Sequence, residues 1–170
     1  MNVLTELLED RPGTRAILTT REEVQAATLR VAQATRRLMA IHTTDLEPAL
    51  YDQPKFIDTV KRLVLGSGYA KGRVLIADPS RALYESSRFI TLARRITSYI
   101  EIRHAHPRYR ENPPAFIIGD DRAVVYRISS ARWDAIHDLG DPAIARLYLD
   151  FFDEAWDASH PDAETRQLHI

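Results

Sequence analysis

Between Arg103 and Arg110 the chain places Arg103, His104, His106, Arg108 and Arg110, with no acidic side chain before Glu111. Planar guanidinium forks suit phosphate or carboxylate oxygens, so the segment reads as an anion-facing loop, closed by Asn112-Pro113-Pro114. The same arginines can equally be solvated surface paired with Glu111, Asp120 or Asp121. His104 and His106 stand two apart, so on an extended chain both face one way, as an acid and base or a metal pair require. No third or fourth ligand at a zinc-type spacing such as HExxH accompanies them, and the sequence predicts no metal site and no cofactor. Ser129-Ser130 beside Asp134 and His137 supplies the residue types of a nucleophile and its base. No elbow motif surrounds them, however, and the spacing is also that of a helix cap. Tyr148, Phe151, Phe152 and Trp156 recur at helical spacing and read as core rather than as a stacking platform.

The elements that must position these groups are legible from periodicity. Ile100 and Ile102 alternate with Glu101 and Arg103, predicting a strand over 99–103. Phe116 to Ile118 and Ala123 to Tyr126 are β-rich runs parted by Gly119-Asp120-Asp121, a hairpin signal. Thr20 with Glu23 forms a capping box, and Val24, Ala27, Val31, Ala34 and Leu38 continue at helical spacing, predicting a helix from Arg21 to Leu38. Leu38 to His42 and Arg73 to Ala77 read as strands, and Ala16-Ile17-Leu18 as an edge strand or a lead-in. Pro54 opens a helix that Gly66-Ser67-Gly68 ends. Asp78-Pro79-Ser80 caps a third helix through Leu83, Phe89, Leu92, Ala93 and Ile96, and Asp141-Pro142 starts a last one ending near Trp156.

That alternation implies right-handed crossovers and an α/β fold: a mixed, largely parallel sheet flanked by helices, with the hairpin strands added. Ligands of such sheets gather at the carboxyl ends of the strands. The crevice rim is therefore expected to hold His42, Thr43 and Asp45, then Asp78 and Arg81, then His104 and His106. A hairpin returning to the same edge adds Pro113 to Ala115, Arg127, Ser129 and Ser130.

A length of 170 residues, with 45% hydrophobic and 28% charged, fits one domain with a sizeable core. Residues 1–14 read as a helical extension through Val3, Leu4, Leu7 and Leu8, residues 15–159 as the domain, and residues 160–170 as a polar tail. The formal net charge of −1 gives no strong nucleic-acid or membrane signal, so any such binding must come from a local patch. The absence of cysteine excludes disulfides, thiolate metal sites and a cysteine nucleophile. With no signal-peptide pattern and no long apolar run, the expected location is the cytoplasm.

The element order and the segments IHTTDLEPALYDQPKFIDTVKRL, RVLIADPSRA, IEIRHAHPRYRENPPAFIIGDDRAVVYRI and DPAIARLYLDFFDEAW resemble the phospholipase D-like fold. More closely, they resemble small bacterial domains of unknown function built on that fold, which also occur fused to acetyltransferase domains. The resemblance covers most of Thr20 to Ser159. It implies a single half-domain of a fold whose catalytic members carry HxKxxxxD, the histidine attacking phosphorus and the lysine holding phosphate oxygens. Aligned on the hairpin, the histidine falls on Pro113, the lysine on Ala115 and the aspartate on Asp120. Proline carries no nucleophile and alanine no charge. The expectation is therefore a catalytically inactive domain with no catalytic residue, binding a small phosphate-containing anion through Arg103, His104, His106, Arg108 and Arg110. One alternative is a phosphodiesterase with chemistry relocated to His104 or His106. Another is a protein-docking or dimerisation module associated with an acetyltransferase. Catalytic members set two half-domains face to face, so the resemblance also implies a homodimer.

Overall fold

The computed structural model describes residues 13–79, 87–111 and 113–161. In chain order, β1 is Ala16–Leu18, α1 Arg21–Ala34, β2 Leu38–Thr43, α2 the single turn Pro48–Tyr51 and α3 Pro54–Gly66. Then follow β3 Lys71–Ile76, α4 described over Ser87–Arg95, β4 Ile100–His104 and a 3₁₀ turn at Pro107–Tyr109. The chain continues with β5 Ala115–Gly119, β6 Ala123–Arg127, β7 Ala135–Asp138, α5 Pro142–Ala158 and the two-residue β8, His160–Pro161.

The strands form one eight-stranded mixed sheet in the order β1-β7-β6-β5-β2-β3-β4-β8. Parallel pairing is confined to β2, β3 and β4, the strands joined by helical crossovers. The remaining neighbours pair antiparallel, including β5 against β2 and the hairpin β5–β6. The sheet is thus mixed as expected but mostly antiparallel rather than largely parallel, because the hairpin, β7, β1 and β8 all join it antiparallel. The central strands are buried on both faces because helices cover both sides. On one face Ile41, Val74, Ile102, Ile117 and Val125 pack against α1, α2, α3 and α4. On the other, Ala40, Leu75, Phe116, Ile118 and Val124 meet α5 through Leu149, Phe152 and Trp156. Burying a Val, Leu, Ile or Phe side chain in these layers contributes about 1.5–3 kcal/mol of apolar transfer.

Local chemistry sets the boundaries. Thr20 accepts from Glu23 N at 3.2 Å while the Glu23 carboxylate accepts from Thr20 N at 3.2 Å, so the predicted capping box starts α1. The predicted end at Leu38 is corrected to Ala34, because Thr35 leaves helical geometry and the next three backbone N–H groups turn toward Asp120. The reading of Ser129 to His137 as a helix cap is also corrected. Ala135–Asp138 is a strand, paired to β6 and to β1. β1 is an edge strand, its outward Ile17 76% exposed. Residues 1–12 and 162–170, with the predicted extension and most of the tail, lie outside the described residues, as do Ser80 to Glu85 and Ser86 ahead of α4.

Candidate functional site

Parallel pairing brings the carboxyl ends of β2, β3 and β4 to one edge of the sheet, where β5 begins and β6 ends. The loops leaving this edge are tied together. Asp78 N donates to Thr44 O at 2.6 Å, Ala105 N to Ile76 O at 2.9 Å, and Thr44 Oγ1 to Ser130 Oγ at 2.7 Å. His42, Asp45, Asp78, Arg127 and Ser129 thus fall at the predicted edge; Arg81 lies outside the described residues.

What the side chains do there differs from a polar rim. His42 is 1% exposed. Its Nδ1 donates to Pro114 O at 2.7 Å, and its ring stacks on Phe116 with centroids 5.2 Å apart. Burial lowers its pKa to about 4, against which the Pro114 hydrogen bond pulls upward, so the ring is neutral at physiological pH. Arg127, the last residue of β6, is the ladder partner of Ala115 and is 2% exposed. Its Nη2 donates to Glu47 Oε1 at 2.6 Å, and its guanidinium lies 4.6 Å from the centre of the Trp133 ring. Glu47 is delivered by a tight turn in which Leu46 N donates to Thr43 Oγ1 at 3.1 Å and Leu46 takes φ 55, a left-handed conformation that costs a non-glycine residue about 1–2 kcal/mol. Burial pushes the Glu47 carboxyl up while the Arg127 charge works against the rise. Burial and the Glu47 carboxylate push the Tyr51 hydroxyl up as well, keeping it neutral. Beside this pair a cavity of about 10 Å³ is bounded by Thr28, Tyr51 and Ala115, room for about one water.

The predicted anion loop divides. Arg103 turns to α5, where Nη1 donates to Trp156 O at 2.8 Å and the guanidinium sits 4.2 Å over the Trp156 ring. Arg110 Nε donates to Ala105 O at 2.6 Å, and His104 Nε2 donates to Ala77 O at 3.3 Å. His106 Nδ1 accepts from Arg108 N at 3.2 Å and so caps the 3₁₀ turn. Arg108 keeps an exposed guanidinium, 5.5 Å from the Tyr109 ring centre. The other nucleophile candidates do not converge. Ser129 Oγ accepts from Ala131 N, Asp134 pairs with Arg132 at 2.8 Å, and His137 is fully buried in β7 with Nδ1 donating to Val124 O at 3.0 Å. Among the described residues no group of three or more His, Asp or Glu side chains is placed to hold a metal ion.

Of the three motif positions, Pro113 and Ala115 are buried apolar groups at the head of β5. Asp120 lies at the far end of that strand, and its carboxylate accepts from Arg36 N at 3.1 Å, Arg37 N at 2.8 Å and Leu38 N at 3.1 Å. Sequence reading missed Glu47, which carries no local signal beyond preceding Pro48, and Trp133, which sits in an irregular stretch.

A model of the family described as "Domain of unknown function (DUF7931)" matches residues 20–168. No curated protein matches the chain by sequence. Among solved structures it is similar to TrmBL2, an archaeal chromatin protein with a novel mode of DNA binding, at TM-score 0.63 and 14% identity over 94% of this chain and 59% of that one. The phospholipase D family member Nuc from Salmonella typhimurium gives TM-score 0.63 and 12% identity over 87% of this chain and 98% of Nuc. NucT from Helicobacter pylori gives 0.60 and 9%, with coverage of 87% and 98%. At these identities the likeness is one of fold. The chain has the phospholipase D-like architecture at the size of a whole Nuc chain, and it spans less than two thirds of TrmBL2. No helix among the described residues is long and apolar enough to cross a membrane.

Proposed function

From a chain that belongs to this family of unknown function and is built on the phospholipase D-like fold, we propose a non-hydrolytic domain that holds a phosphate-bearing anion at the carboxyl edge of its sheet. One observation carries the loss of hydrolysis. Where the resemblance puts a nucleophile and a phosphate clamp, the chain has Pro113 and Ala115, and the guanidinium opposite Ala115 is already neutralised by Glu47 at 2.6 Å. A buried, paired arginine is a poor clamp, because phosphate would have to displace a carboxylate from a desolvated site. His42, beside this position, cannot attack either: its ring is fixed on Pro114 O and enclosed by Phe116, Phe151 and Phe152. Anion binding is supported by what the loop leaves open, the exposed Arg108 guanidinium and the remaining donors of Arg110, next to His106.

The test has two arms. Purified protein incubated with bis-nitrophenyl phosphate and with DNA, with and without divalent metal, should show no turnover above buffer. Turnover that disappears in His104→Ala or His106→Ala would replace the reading with relocated histidine chemistry. In the second arm, sulfate or phosphate should raise the melting temperature of wild type by mass action and raise it less in Arg108→Ala. Equal shifts in both proteins would make the loop plain surface.

A further inference from the structure

The opposite end of the sheet carries a cleft of about 690 Å³, between the amino ends of β2 and β3, the β5–β6 turn and helix α5. Six cationic side chains line it: Arg36, Arg37, Lys71, Arg73, Arg122 and Arg146. Three carboxylates share the space, Asp120, Asp121 and Asp153. The cleft is thus positive in a chain whose formal net charge is −1. Its floor is apolar, formed by Leu38, Met39, Ala40 and Leu149, and Leu38 is 52% exposed there.

Three carboxylates against six cations leave the cleft net positive. Asp120 accepts from three backbone N–H groups of the turn that carries Arg36 and Arg37. Asp153 is taken by Arg73 at 2.9 Å, whose guanidinium also lies 4.9 Å from the Phe152 ring centre. Asp121 stands 3.9 Å from Arg122, both side chains about two-thirds exposed, a contact of little strength in water. Among the described residues Arg146 pairs with Asp150 alone, at 3.7 Å and exposed. Among the described residues the guanidinia of Arg36 and Arg37 have no carboxylate partner, yet the backbone that carries them is pinned by Asp120. Cations in excess of carboxylates, on a backbone held by Asp120 and facing others across a concave site, favour an incoming polyanion.

We propose that this cleft is a binding site for a small ligand bearing two or more linked phosphate groups on a compact body, of nucleoside-diphosphate size. Guanidinium forks take phosphate oxygens in pairs. Because they come from the α1–β2 turn, the hairpin turn and α5, a single phosphate cannot engage all of them. The volume is that of small-molecule sites, and the apolar floor accommodates the uncharged part of the ligand. The site lies at the other edge of the sheet from the Arg108 loop, so it extends the reading above and does not depend on it.

Isothermal titration of the full chain with ADP and with tripolyphosphate tests the assignment, with orthophosphate, adenosine and a 20-nucleotide DNA strand as comparisons. ADP and tripolyphosphate should bind saturably, with one site per chain persisting in Arg108→Ala, where orthophosphate binds at least tenfold more weakly and adenosine not measurably. The double variant Arg36→Gln, Arg37→Gln should keep the wild-type melting temperature and lose at least tenfold in affinity. Arg146→Gln, on a different element, should lose severalfold, and Arg108→Ala should keep this site at its wild-type affinity while losing what binds at the carboxyl edge. Failure of both polyphosphates to bind overturns the proposal, as does unchanged affinity in the double variant. Loss of binding in Arg108→Ala overturns it while leaving the carboxyl-edge reading standing. Tight binding of the DNA strand alone would assign the patch to nucleic acid and likewise refute the small-ligand site.

Discussion

Replacing Asp120 with alanine removes a carboxylate that receives three backbone N–H groups, at 3.1, 2.8 and 3.1 Å, from the turn between α1 and β2. A hydrogen bond to a charged group contributes about 1.5–3 kcal/mol when buried. These donors are on the exposed side of the turn, so water recovers much of each bond, and about 2 kcal/mol is lost for the three together. Asp120 also holds φ 54, where aspartate is tolerated better than alanine, adding about 1 kcal/mol. The expected loss is about 3 kcal/mol, or a melting point lower by about 6–12 °C for a domain of this size. Glycine at 120 loses the same bonds without the conformational cost and should be about 1 kcal/mol better than alanine. Asparagine keeps one acceptor oxygen and should lose about half as much as alanine. Urea unfolding followed by far-UV circular dichroism gives the series, with m-values reporting whether the transition stays two-state. If alanine falls within 0.5 kcal/mol of wild type, or glycine is no better than alanine, the assignment of Asp120 as the clamp of this turn is wrong.

Three further outcomes follow from the packing. Gly119→Ala puts a methyl 2.3 Å from Thr35 Oγ1 and 3.1 Å from Val31 O, so it should cost about 1–3 kcal/mol; adding Thr35→Ala should recover part of that, and no recovery would place the strain elsewhere. Glu47→Ala strands the Arg127 charge in the core and should cost about 3–5 kcal/mol by urea unfolding, with Glu47→Gln milder; a loss under 1 kcal/mol would mean water reaches the guanidinium. His42 has a folded pKa lowered from 6.5 to about 4, so the unfolded chain takes a proton first as pH falls. Its contribution is fully present above the unfolded value and fades by about 3 kcal/mol between pH 6.5 and 4, so wild type should lose stability relative to His42→Phe over that window. Parallel pH curves for the two proteins would contradict the burial argument.

The elements that could be read from sequence are those whose cause is local. The capping box of α1 satisfies donors three residues apart, and β2 and β3 announce themselves through the apolar runs Met39-Ala40-Ile41 and Val74-Leu75-Ile76, their buried stretches. β7 was illegible because Ala135-Ile136-His137-Asp138 has two polar members and owes its conformation to β6 and β1 on either side. The side chains of the crevice were legible in position but not in role. Arg103 reads as a phosphate donor from its neighbours along the chain, yet its partner is the carbonyl of a tryptophan 53 residues away. His42 reads as a rim histidine, yet α5 brings Phe151 and Phe152 over it and makes it core.

The three motif positions separate on the same physical line. A histidine and a lysine at Pro113 and Ala115 would serve only chemistry; the strand they head is held by its ladder to β6 and β2, which proline at the strand entry and alanine within it leave intact. Asp120 serves architecture: it ends β5 in a left-handed turn, stops α1 and fixes the start of β2, while Asp120 N itself donates to Leu38 O at 2.6 Å. Proline and alanine at the first two positions are therefore compatible with this fold, whereas removing Asp120 loosens the junction of α1, β2 and the hairpin. That junction also carries Arg36, Arg37 and Arg122, so Asp120, at the third position of the resembled pattern, is the residue that holds the backbone under the basic cleft. Asp120→Asn should accordingly weaken polyphosphate binding along with stability, whereas Pro113→Ala should leave the cleft's affinity unchanged; equal effects of the two substitutions on titrated affinity would break the link between the turn and the site.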